Sequence, residues 1–205
     1  MSRIGIVGGT FDPPHFAHLV LAEHGREELN LDKVLFVPAG EPPHKASTRT
    51  PSSQRVEMVQ LAIQDNPYFE LSRVDVDRPG PHYTVDMISI LRQQYRGAQF
   101  FLLMGEDMFN SLPSWDRAEG LFADGQLPVA VMHRLGSSAK LRLDRHKDVL
   151  PGLDNSVILL KSPLLEISST EIVQRLREGR SARYLLPETV LRYIDEQGLY
   201  KGAVV

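Results

Sequence analysis

The chain contains no cysteine. Disulfides, thiolate nucleophiles and Cys-ligated zinc are therefore excluded. It also lacks any run of about 18 apolar residues, which argues against a membrane-spanning helix. It opens directly on a strand-like segment with no apolar leader. The simplest location is the cytoplasm, with no membrane partner. Excess positive charge is missing too: the formal net charge is -3 at pH 7. Basic residues are scattered, with local groups such as Arg142 to Lys147. Nucleic-acid binders usually show a basic face, so nucleic acid is not an expected partner. Three signatures are absent: Gly-x-Gly-x-x-Gly, Gly-x-x-x-x-Gly-Lys-Ser/Thr and His-Glu-x-x-His. Their absence leaves a nicotinamide-cofactor dehydrogenase, a P-loop enzyme and a zincin unsupported.

What is present has the composition of an ordinary globular protein. Its 205 residues suit one α/β domain spanning 1–205, with a small helical extension. Arg3 to Val7 reads as a buried strand and Phe16 to Leu29 as a helix. Lys33 to Val37 is a second strand, stopped by Pro38. Val56, Val59 and Ile63 follow helical spacing after Pro51 and Ser52. Phe69 to Ser72 reads as a short strand, and Thr84 to Tyr95 as a helix with Val85, Ile88 and Leu91 on one side. Phe100 to Met104 is a continuous apolar run, as a central parallel strand requires. Val129 to Met132 and Val157 to Leu160 look similar. This β-then-α order predicts α/β architecture with a doubly wound parallel sheet. Ser168 and Glu171 form a capping-box pattern before Ile172. Pro187 stands where a first helical residue would, ahead of Val190 and Ile194. Two helices, over about 168–200, therefore close the chain.

The first βα turn carries the strongest signal: Gly8-Gly9-Thr10-Phe11-Asp12-Pro13-Pro14-His15-Phe16-Ala17-His18. Glycines after a strand let backbone N–H groups approach an anion. The following helix N-terminus favours phosphate. His15 and His18 are three apart, which puts both rings on one helical face beside the loop. Two imidazoles there can donate hydrogen bonds to oxygens that rearrange charge during phosphoryl-group transfer. The competing readings are two surface histidines or part of a metal site.

Other segments add candidates. Lys45, in Pro42-Pro43-His44-Lys45, can reach a triphosphate as a mobile point charge; otherwise it is a solvated lysine. Gly105 and Asp107 follow the long apolar strand, where ligands of such folds bind. Asp107 can accept from ribose hydroxyls or cap the next helix. Thr84 is a cap candidate. Trp115 offers a flat indole for a pyridine or purine ring, or a core residue. Ser168, Ser169 and Thr170 place hydroxyls at a helix N-terminus, a cap and an anion site together.

These motifs, in this order and over almost the full length, resemble the nucleotidyltransferase superfamily with the His-x-x-His (often His-x-Gly-His) motif. Gly8 to His15 is similar to the bacterial nicotinate-nucleotide adenylyltransferases. The resemblance implies a Rossmann-like fold. It implies transfer of AMP from ATP to nicotinate mononucleotide in NAD biosynthesis, giving nicotinate adenine dinucleotide and pyrophosphate. Mg²⁺ would be carried by the ATP phosphates, with no protein metal site. His15, His18 and Lys45 would be catalytic. Gly8, Gly9, Thr10, Phe11, Gly105, Asp107, Arg134, Ser168, Ser169 and Thr170 would bind ATP. His82, Tyr83, Thr84 and Trp115 would hold the acceptor, and the C-terminal helices would complete the phosphate site. Three departures stand out: Ala17 between the histidines, His82 where Ser is usual, and Val173 where Arg is usual. Arg175 lies about 200° around the helix from Val173, so it is not an obvious substitute; Arg134 is a candidate. The alternatives are a sister adenylyltransferase using nicotinamide mononucleotide or another phosphate acceptor, and a non-catalytic nucleotide-binding regulator. Assembly into a homo-oligomer is left open.

Overall fold

The computed structural model describes residues 1–40, 49–122, 125, 127–132, 146, 149–153, 156–161, 163 and 165–201. Its strands are β1 (Arg3–Gly9), β2 (Lys33–Pro38), β3 (Phe69–Leu71), β4 (Gln99–Gly105), β5 (Val129–Met132) and β6 (Val157–Leu160). The helices described are α1 (Phe16–Glu28), α2 (Ser52–Ile63), α3 (Thr84–Gln94), α4 (Glu106–Ser111), α5 (Glu119–Phe122), α6 (Ser169–Arg177) and α7 (Glu188–Glu196). A 3₁₀ turn, Leu112–Ser114, follows α4.

The six strands lie in the order β3-β2-β1-β4-β5-β6, and every pairing is parallel. This is the doubly wound α/β sheet that the β-then-α alternation predicts. After β1 the chain steps outward to β2 and β3, then returns to lay β4 on the other side of β1. The order reverses there, so the crevice opens beyond the carboxyl ends of β1 and β4. Gly8, Gly9 and Gly105 stand at that mouth.

Alternate residues of each strand supply the two faces. Ile4, Ile6, Leu35, Val37, Phe100, Leu102 and Met104 pack with Met87, Ile88 and Leu91 of α3. Val7, Val34, Phe36, Phe101 and Leu103 pack with Leu21 and Ala22 of α1 and Val59 and Ile63 of α2. Both faces are thus covered, which is why the strands read as continuous apolar runs. Each fully buried Leu, Ile, Val or Phe contributes about 1.5–3 kcal/mol through transfer from water. A third cluster joins Met58 of α2 to Ile172, Ala182, Leu186, Val190 and Ile194. Through it the last two helices dock on α2.

Four helix starts differ in detail from the sequence expectation. Pro187 (φ -58, ψ 144) is the N-cap of α7, and Glu188 is its first helical residue. Its ψ is extended, so it precedes the helix. Tyr83, also extended, caps α3 with no side-chain bond, and Thr84 is the first helical residue. Gly105 caps α4, because β4 runs straight into that helix, so Asp107 sits inside the first turn. At α6 the Ser168 hydroxyl accepts from Glu171 N–H at 3.2 Å, the half of the capping box that stands in the structure.

Candidate active site

The turn after β1 is held from below by its own aromatic residue. Phe11 has φ 51, the left-handed region, which costs a non-glycine residue about 1–2 kcal/mol. Burial offsets that cost: the ring is 2% exposed, lies beneath Gly9, where a Cβ would meet it at 3.3 Å, and packs on Phe36. Its edge also meets the His18 ring, centroids 4.9 Å apart. Phe11 thus sets the position of His18.

His15 is the N-cap of α1 and His18 its third residue. Their rings stack at 3.7 Å with 21° between planes, as the three-residue spacing predicts. His15 N–H donates to His18 Nδ1 at 3.2 Å. That bond fixes the tautomer: with Nδ1 accepting, the neutral ring carries its proton on Nε2 and can donate from there. His15 is buried, and burial lowers its pKa from 6.5 to about 4. His18 is held well below the ordinary imidazole value, by desolvation first and by the neighbouring His15 charge second. The positive end of α1 works in the same direction. At neutral pH both rings are neutral donors.

Two adjoining cavities open at the crevice. One, of about 470 Å³, is lined by Gly8, His15, His18, Gly105, Asp107 and Ser168. The other, of about 410 Å³, is lined by Gly8, Gly9, Thr10, Phe11, His18, His82, Tyr83, Thr84, Trp115 and Ser169. Gly8 and His18 border both. The structure therefore brings together at one mouth most residues singled out from the sequence. Thr170, beside this mouth on α6, is exposed and accepts from Arg49. His44, Lys45 and Arg134, and most of Arg142 to Lys147, lie outside the described residues.

The second cavity has a defined wall. Trp115 Nε1 donates to Ser111 Oγ at 3.1 Å, which fixes its indole. His82 is buried against Gly40, where a Cβ would lie 2.5 Å from the ring. Asp75, also lining this cavity, is paired with Arg78 at 2.7 Å; burial, the largest influence, raises its pKa.

A buried network missed by the sequence reading braces the turn. Asp12 Oδ1 accepts from Thr50 Oγ1 at 2.5 Å and from Tyr200 Oη at 2.5 Å. Asp12 Oδ2 accepts from Arg49 N–H at 2.8 Å. Arg55, fully buried, donates to the carbonyls of Thr10, Gly40 and Thr50, so one guanidinium ties three loop segments. The C-terminal part is stitched to the same turn: Ser169 Oγ donates to Pro13 O at 2.8 Å, and Phe16 N–H to Leu185 O at 3.1 Å. The local signal for these partners was slight: Arg55 falls three and four positions before Met58 and Val59, on the buried face of α2.

Among the described residues no three His, Asp or Glu side chains gather as a metal cage. A Mg²⁺ held by phosphate oxygens needs only one or two carboxylates besides water, and Glu106 and Asp107 line the first cavity. No helix among the described residues is long and apolar enough to cross a membrane.

The fold agrees with comparison to known proteins. The family model described as cytidylyltransferase-like matches residues 6–175. A solved structure titled Plasmodium falciparum nicotinic acid mononucleotide adenylyltransferase complexed with NaAD superimposes with a TM-score of 0.76 at 20% identity, covering 98% of each chain. The chain is a member of the cytidylyltransferase-like proteins by fold and motif. Among curated proteins, the probable nicotinate-nucleotide adenylyltransferase of Thermomicrobium roseum is 46% identical, over 98% of this chain and 92% of its own length. That of Exiguobacterium sibiricum is 42% identical, over 97% and 98%. The chain belongs to the nicotinate-nucleotide adenylyltransferase family.

Proposed function

We propose that this enzyme transfers the AMP unit of ATP to nicotinate mononucleotide, forming nicotinate adenine dinucleotide and pyrophosphate in NAD biosynthesis. The observation that carries this reading is the place of His18, at the boundary between two cavities. A group-transfer enzyme needs donor and acceptor on either side of the reacting phosphorus. The first cavity, between two helix N-termini, suits ATP; the second, with Trp115, suits a pyridine nucleotide. The relatives' names give the acceptor as a nicotinate nucleotide.

The acceptor's 5′-phosphate is already an anion, so no protein base is required. One of its oxygens bonds to the α-phosphorus in line while the bond from that phosphorus to the β-bridging oxygen breaks. The electron pair leaves with pyrophosphate. Catalysis is then positioning and charge stabilisation. His18 Nε2–H donates to an α-phosphate oxygen, and His15 holds the neighbouring phosphate. Gly8, Gly9, Thr10 and Phe11 shape the cradle. Lys45, Arg134, Ser168, Ser169 and Thr170 hold the β and γ groups, Ser169 through its main-chain N–H because its hydroxyl donates to Pro13. Gly105 and Asp107 face the ribose, and His82, Tyr83, Thr84 and Trp115 the acceptor. Mg²⁺ brought with ATP would neutralise phosphate charge, with Glu106 and Asp107 the carboxylates of this cavity that could hold it. The chain acts as one domain whose C-terminal helices complete the phosphate site, as the Pro13–Ser169 and Phe16–Leu185 bonds support. The cytoplasm suits such an enzyme.

Pyrophosphate release from Mg-ATP, measured with each acceptor in turn, tests the reading. Release should be fastest with nicotinate mononucleotide. A preference for nicotinamide mononucleotide or phosphopantetheine would make the chain a sister transferase, and failure to release pyrophosphate with any acceptor would make it a non-catalytic nucleotide-binding regulator.

A further inference from the structure

A triphosphate brings about four negative charges, yet no described residue lining either cavity is Lys or Arg. Several lining residues of the first cavity are acidic, Asp107 and Glu171 among them. Neutral imidazoles and main-chain N–H groups offer dipoles, not a countercharge. Val173 is buried, and Arg175 Nε donates to Ser181 O at 2.9 Å.

One cation does reach the start of α6. Arg49 Nη2 lies 3.5 Å from Thr170 Oγ1. Its backbone is fixed where it stands: its N–H donates to the buried Asp12 carboxylate at 2.8 Å, which Thr50 and Tyr200 also grip. A guanidinium is always charged, and it presents forked donors that match phosphate. It is placed where the helix dipole also favours an anion.

We infer that Arg49 is a polyphosphate-binding residue of this enzyme, supplying countercharge to the β and γ phosphates and to departing pyrophosphate, with the Thr170 hydroxyl beside it. This rests on the adenylyl-transfer reading. The Asp12 bond comes from main chain, so Arg49→Gln leaves the turn's anchor in place, and equal thermal midpoints would confirm that.

Calorimetric binding of pyrophosphate, and of a non-hydrolysable ATP analogue with Mg²⁺, should weaken at least tenfold in Arg49→Gln. Arg49→Lys should recover part of that loss. KM for ATP should rise likewise, while KM for nicotinate mononucleotide stays within about twofold by the independence of distant sites. Wild-type and Arg49→Gln proteins binding both ligands equally would overturn the assignment alone. A wild-type protein that binds neither ligand would overturn the adenylyl-transfer reading and this assignment with it.

Discussion

Tyr200 Oη donates to Asp12 Oδ1 at 2.5 Å across 188 positions of sequence. The bond joins the end of the described chain to the turn that carries the site. Tyr200 itself stands at φ 59, a conformation that the hydroxyl's bonds to Asp12 and Thr50 and the apolar contacts of its ring help to retain. Asp12 gains three donors from it and from residues 49 and 50. The first turn is thus shaped by contacts that only the complete fold supplies.

Tyr200→Phe keeps the ring and deletes the bond. A buried carboxylate losing one donor costs about 1–3 kcal/mol, to be measured by urea unfolding. Burial first, and the Asp12 contact second, raise the Tyr200 pKa well above its usual 10.0. The folded state therefore holds this proton more tightly than the unfolded one. Stability from it is fully present below about pH 10 and falls as pH rises beyond. Wild-type protein should lose stability steeply above pH 10, and the variant less so. Parallel pH curves would show that the hydroxyl is not coupled to folding.

His15 should titrate far from the ordinary imidazole range. Its folded pKa is about 4 because of burial, against about 6.5 unfolded. The unfolded chain binds more protons between these values, so stability is present above about pH 6.5 and declines as pH falls towards 4. The loss is of order 1–3 kcal/mol. An NMR titration of the free enzyme should find the ring neutral at pH 6. A midpoint near 6.5 would place His15 in water, contrary to its buried position at the start of α1.

Much of this was legible in the sequence, for physical reasons. Ile4, Leu35, Phe100 and Val129 lie in strands buried on both faces, and such strands leave continuous apolar runs. His15 and His18 meet because a helix's N-cap residue and its third residue lie close together, bridged here by the His15 N–H bond to His18 Nδ1. The rest depended on distance in sequence. Nothing local in Asp12, Thr50, Arg55 and Tyr200 says that they meet, and only the family resemblance brought the last two helices to the phosphate site. Helix caps were less legible than helices, because Pro187 and Gly105 are read equally well as the residue before a helix or the first within it. Ala17 is buried within α1, where a methyl group needs no special backbone angle.

A substitution at Gly40 tests whether the acceptor and ATP are recognised on separate sides of the site. A Cβ there would lie 2.5 Å from the His82 ring and 2.7 Å from Asp75 O. The carbonyl cannot yield easily, so Gly40→Ala should push His82 into the second cavity. KM for nicotinate mononucleotide should rise on the order of tenfold, about 1.4 kcal/mol, with KM for ATP little changed. Steady-state kinetics with each substrate varied would check this. Equal rises in both constants would point to general disruption instead.

The most direct measurement is kcat for His18→Ala beside the affinity for Mg-ATP. Loss of one donor to a developing transition-state charge costs on the order of 10²–10³ in kcat. The account expects that loss with only a modest change in ATP binding, because the ring acts on the α-phosphate as the reaction proceeds. A variant that turns over at close to the wild-type rate would contradict it.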